Sequence, residues 1–75
     1  MKHYVVSYTI DYEGSIITGV FSTLKKAKKH FTEQEKKLFG GKYVYASEIS
    51  IVLWKGQKEE LIFEESYEKW KIKNI

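Results

Sequence analysis

The hydrophobic residues of this 75-residue chain change their spacing twice. Near the N-terminus they recur at every second position, in the middle at every third or fourth, and then again at every second. Side chains two apart share a strand face, whereas those three and four apart share a helix face. The order strand, strand, helix, strand, strand follows, and it limits the fold more than any composition figure does.

The first strand covers residues 2–12. Tyr4, Val6, Tyr8, Ile10 and Tyr12 make one face, and His3, Val5, Ser7, Thr9 and Asp11 the other. A two-residue turn at Glu13-Gly14 leads into a second strand, residues 15–21. That turn sets Ile10 against Ile17, Tyr8 against Gly19 and Val6 against Phe21, with a Tyr ring covering the strand glycine. A helix over residues 23–39 has Ser22 or Thr23 as N-cap and a stripe of Leu24, Ala27, Phe31, Gln34 or Glu35, and Leu38. Glu33 is placed to pair with Lys29 and Lys37. Gly40-Gly41 ends the helix.

A second hairpin joins residues 43–54 to residues 60–65. Tyr45, Ile49, Ile51 and Leu53 share one parity, Leu61 and Phe63 the other strand's apolar parity. A two-residue Gly56-Gln57 loop would set Leu53 against Glu60 and mix the faces. An odd-length loop with a bulge at Gly56 sets Leu53 against Leu61 and Ile51 against Phe63, and is preferred. In the tail, residues 66–75, the alternation from Lys69 to Lys73 favours a strand, while Ser66 followed by Tyr67 and Glu68 also reads as a short helix start.

These elements predict one α+β domain over residues 1–75. It is a two-layer ββαββ fold, an antiparallel sheet with one amphipathic helix packed on one face. The opposite face would carry Val5, Ser7, Thr9, Ile16, Thr18, Val20, Val52 and Trp54. A face only half polar is a candidate partner surface.

Composition narrows the chemistry. Without cysteine there is no disulfide framework and no thiolate zinc site, so the core must suffice. No apolar run approaches a membrane span, and the N-terminus lacks a leader pattern, so a cytoplasmic location is expected. All thirteen basic residues are Lys. The bidentate fork that reads guanine and phosphate is therefore missing.

The catalytic inventory is thin. His3 and His30 are the only histidines, and no local Ser-His-Asp arrangement accompanies them. Asp11 with Glu13, and His30 with Glu33, lack a third metal ligand. Adjacent residues in Glu59-Glu60 and Glu64-Glu65 point to opposite strand faces, so neither doublet makes a shared-proton pair. By parity, Glu60 goes with Glu64 and Glu59 with Glu65. No enzyme activity, cofactor or metal is expected.

Two binding readings remain. Residues 1–45 carry eight Lys against four acids, and residues 46–75 five against six. The first reading is a protein-binding or regulatory module with Trp54 and Trp70 as aromatic anchors and Glu59, Glu60, Glu64 and Glu65 as a rim facing a basic partner. The alternative is sequence-tolerant nucleic-acid binding through Lys25, Lys26, Lys28, Lys29 and Lys36 of the helix. A homodimer joined through a sheet edge or the second sheet face comes third.

The stretch over residues 4–31 resembles small, uncharacterised bacterial and bacteriophage ββα-type domains. Tyr4, Val5 and Val6 match their Tyr/Val first strand. Gly19, Phe21 and Ser22 match the G-x-F-S/T step, and Ala27 lies in the Lys/Ala helix start. The resemblance implies a phage or mobile-element accessory protein or inhibitor, and brings no activity or catalytic residue.

Overall fold

The computed structural model describes residues 2–41 and 46–73. The elements run β1 (Lys2–Ile10), β2 (Gly14–Phe21), α1 (Leu24–Leu38), β3 (Glu48–Lys55), β4 (Lys58–Ser66) and α2 (Tyr67–Lys73). The four strands form one antiparallel sheet in the order β2-β1-β3-β4. The α+β class is as expected, with a second helix added. Tyr43 and Tyr45 of the expected third strand lie outside the described residues.

Helix α1 begins as its sequence indicates. Thr23 is the N-cap, and its Oγ1 accepts the Lys26 N–H at 3.3 Å. Ala27, Phe31 and Leu38 are buried against the sheet, with Leu24 half-buried. They meet Val6, Ile49 and Ile51 from the two central strands. Phe31 and Phe63 pack edge to face, ring centroids 5.2 Å apart.

Both hairpins depart from the expected register. The first has its turn earlier in the chain than Glu13-Gly14, the second lacks the bulge at Gly56, and each has a bulge within its edge strand. The first turn is Asp11-Tyr12-Glu13, closed by the Glu13 N–H donating to the Ile10 carbonyl at 3.0 Å. Tyr12 takes φ 70° and is fully exposed, so it belongs to no strand face. Tyr8 therefore faces Ile16, Val6 faces Gly19 and Tyr4 faces Phe21, with Thr18 as the extra residue. Thr18 Oγ1 donates to the Val6 carbonyl at 3.2 Å and lies 3.0 Å from His30 Nε2. A hydroxyl has one proton, so the histidine N–H is the donor to it. A Cβ at Gly19 would lie 2.7 Å from Phe21 Cε2. The ring over Gly19 is thus that of Phe21, two residues along the same strand, and not that of Tyr8.

The second hairpin does use the two-residue Gly56-Gln57 loop, with Lys55 opposite Lys58. Leu53 faces Glu60, the mixed pairing judged unfavourable from sequence. Ile62 is then the extra residue, and beyond it Ile51 faces Phe63 as expected. The two bulges lie at the same level, beside the central Val6–Ile51 pair. They interrupt both sheet edges, where an unbroken ladder would invite another strand.

The tail is helical from Tyr67 to Lys73, not a strand. Ser66 Oγ accepts the Lys69 N–H at 3.3 Å. Tyr67 and Trp70, three residues apart, both pack on Phe39 at ring distances of 5.6 and 5.8 Å. In a strand these two side chains would point to opposite faces.

Candidate interaction surface on the open sheet face

The pairing sorts the sheet into rows. Beneath α1 the middle row is Gly19–Val6–Ile51–Phe63. One residue away, on the other face, runs Val20–Val5–Val52–Leu61. This second row is wholly aliphatic and crosses all four strands. Val20 is 56% and Leu61 55% exposed, with Val5 and Val52 half-buried between them. Neither α1 nor α2 covers it. Trp54 stands beside the row, 39% exposed, opposite His3 on β1 and Glu59 on β4. Ile17 adds apolar surface on the far side, opposite Ser7. A shallow depression of about 440 Å³ is lined by His3, Val5, Val20, Trp54 and Gly56.

The bulges decide this composition. Thr18 shifts β2, so Ile17 joins the open face while Ile16 falls opposite Tyr8 on the helix side. The expected positions of Ile16 and Thr18 on the open face are thus corrected, and Val5, Ser7, Thr9, Val20, Val52 and Trp54 keep theirs. Ile62 does the same for β4. It sends Leu61 outward and re-pairs the acids, so that Glu59 shares the open face with Glu64, and Glu60 the helix side with Glu65. That reverses the parity grouping read from an unbroken strand.

The open face is acidic along its β4 side. Glu59, Glu64 and Glu48 lie on it, and the paired strand positions of this face hold no lysine. Burial, then the nearby Glu64 charge and a hydrogen bond to the Glu64 carboxyl, raise the Glu48 pKa above the usual carboxylate range, while Lys69 pulls it down. Glu48 and Glu64 are thus neighbouring carboxyls on one face, brought together by the strand register although they are sixteen apart in sequence. Between the acids and β2 the face is neutral, with Ser7 and Ser50 hydroxyls 3.3 Å apart and Thr9 and Ser15 hydroxyls 3.1 Å apart.

The expected anchors and rim are split by the fold. Trp54, Glu59 and Glu64 come together here. Glu60 is exposed near the β3–β4 turn, on the helix side of the sheet. Trp70 is half-buried on α2 against Phe39 and Tyr67. Glu65 is only 4% exposed, so it contributes nothing to an outer rim. Lys73 Nζ lies 3.1 Å from its Oε1 and donates to its Oε2 at 3.2 Å. Leu61, Ile17 and Glu48 are the members that sequence reasoning missed. Lys25, Lys26, Lys28, Lys29 and Lys36 are all exposed on α1, across the sheet from the acidic side.

Among the described residues, no group of three or more His, Asp or Glu side chains is placed to hold a metal ion, and no helix is long and apolar enough to cross a membrane. The architecture defines an open-faced α+β sheet domain whose apolar row is its most distinctive surface. Comparison with known proteins finds no matching family model, curated protein or solved structure.

Proposed function

We propose that the chain is a small protein-binding module that docks through its open sheet face. The observation that carries this reading is the exposed aliphatic row Val20–Val5–Val52–Leu61 with Trp54 beside it. Contiguous apolar surface on a small protein marks interaction sites, and a half-exposed Trp is a frequent anchor. Glu59, Glu64 and Glu48 on one side select a partner with an apolar centre and basic residues at its margin. Face-to-face pairing with a second copy is less well matched, because the strand positions of this face hold three acids and no lysine. A regulatory role on a host protein, in the cytoplasm, fits the resemblance to phage-type accessory domains.

The test is paired affinity capture with the wild type and with Leu61→Lys and Trp54→Ala. Proteins captured by the wild type and lost by both variants are then purified and titrated. The reading expects at least a tenfold loss of affinity in Leu61→Lys and weaker wild-type binding at higher salt. Equal binding by all three proteins would overturn it.

The second reading, sequence-tolerant nucleic-acid binding, is favoured by the five exposed lysines of α1. It expects micromolar binding to mixed oligonucleotides that falls steeply between about 50 and 200 mM salt. Absence of binding at the lower salt would remove it.

A further inference from the structure

We propose that the cleft between α1, β4 and α2 is a binding site for a primary alkylammonium group, and that Lys73 occupies it as an internal, displaceable ligand. The cleft holds about 350 Å³ and is lined by Thr32, Glu35, Lys36, Phe63, Glu65, Trp70 and Lys73. Its floor is the Glu65 carboxylate, which β4 places opposite Ile49 on the covered side of the sheet.

A carboxylate this buried is costly unless a cation and hydrogen bonds compensate it. The compensation is incomplete. Lys73 Nζ is 3.1 Å from Oε1 and 3.2 Å from Oε2, but its hydrogen-bond geometry is met at Oε2, and the buried Oε1 receives no hydrogen bond. Glu35 from α1 adds a second negative charge. Burial first, then the Glu65 charge, push its pKa upward, and Lys73 opposes them.

The ligand class follows from this geometry. Two carboxylates are too few for a calcium or magnesium cage, which needs six or more oxygen ligands. An ammonium needs a few acceptors around a compact charge and gains further from aromatic faces. Phe63 and Trp70 supply aromatic walls. Lys73 already shows that an alkylammonium reaches the buried carboxylate. It comes from the last turn of a seven-residue helix, with its side chain 66% exposed, so little structure has to move for it to leave. Lys73 is also the cation that opposes the raised pKa of Glu35. Its departure therefore leaves the two carboxylates without the positive charge they share, for an incoming cation to replace.

The experiment is a two-dimensional NMR titration with n-butylammonium, using n-butanol as the neutral isostere and potassium chloride as the ionic-strength control. In the wild type, butylammonium should shift the Lys73 side-chain signals together with the Trp70 indole and Thr32 amide, and butanol should not. Lys73→Met should bind butylammonium at least tenfold more tightly than the wild type, and Glu65→Gln in that background should lose at least tenfold. Nα-acetyl-lysine methylamide as a second probe separates the sources. Binding as tight as butylammonium's points to a lysine side chain, and weaker binding to a free amine. The proposal is overturned if Lys73→Met binds no more tightly than the wild type, or if butanol binds equally well. Should Lys73→Met not fold, the wild-type titration decides, and Lys73 signals unmoved at saturating butylammonium would refute displacement.

Discussion

Two neighbouring rows of this sheet have similar apolar character and opposite fates. Gly19–Val6–Ile51–Phe63 lies beneath α1, with Val6 and Ile51 fully buried. Val20–Val5–Val52–Leu61 is one residue away along every strand and faces outward, uncovered by either helix. Hydrophobicity alone does not distinguish them. What does is helix α1, which can cover one face only, and the two bulges that assign Leu61 and Ile17 to the other. The difference separates residues that hold the fold from residues available for binding.

The largest expected effect is at the covered row. Ile51→Ala should cost about 2–5 kcal/mol in urea unfolding, against a total of roughly 4–11 kcal/mol expected for a chain this size. Val52→Ala, one position along, should cost less than about 1 kcal/mol. Equal costs would mean that the outer row is covered in solution, and the comparison would fail.

Gly19→Ala probes the covered row from the other direction. The new methyl meets the Phe21 ring at less than van der Waals distance. Overpacking of this kind should cost about 1–3 kcal/mol. A thermal midpoint unchanged from wild type would show that the Phe21 ring moves aside freely.

The smallest effect is electrostatic. Glu35 and Glu48 both have raised pKa values, each chiefly through burial and then a neighbouring glutamate. A carboxyl whose pKa is higher in the folded state binds more protons there than when unfolded. These two groups therefore make stability rise as pH falls from neutral towards the ordinary glutamate range. Solvent screening holds each effect well under about 1 kcal/mol. Glu48→Gln should flatten the part of the slope that belongs to the open face, and Glu35→Gln the part on the covered side. A slope of opposite sign in wild type that both variants leave intact would contradict this assignment.

Much of this was legible in the sequence. The period switch yields the element order, and Thr23, Ala27, Phe31 and Leu38 yield the helix with its cap and buried stripe. What escaped was the pair of bulges. A period-2 pattern is read on the premise of an unbroken strand, and one extra residue at Thr18 or Ile62 reverses every parity beyond it. Leu61 therefore lies on the open face, where an unbroken strand would put it in the core. Glu65 lies beyond Phe63, where the register is as expected, and leaves the rim because it is buried beside Lys73. The α2 helix was open to a strand reading because its decisive contacts, Tyr67 and Trp70 on Phe39, are long-range. Trp54 and Glu64 lie where the face read from the sequence holds, whereas Glu59 reaches the open face only through the bulge at Ile62.

The account rests most heavily on the open row being a docking surface and not a structural one. The direct measurement is the affinity of the captured partner for wild type and Leu61→Lys, made alongside their thermal midpoints. The account predicts midpoints within about 2–4 °C, consistent with a surface substitution of up to ~0.5 kcal/mol in a small domain, and at least a tenfold loss of affinity. A variant that binds as tightly as wild type at an equal midpoint would contradict it.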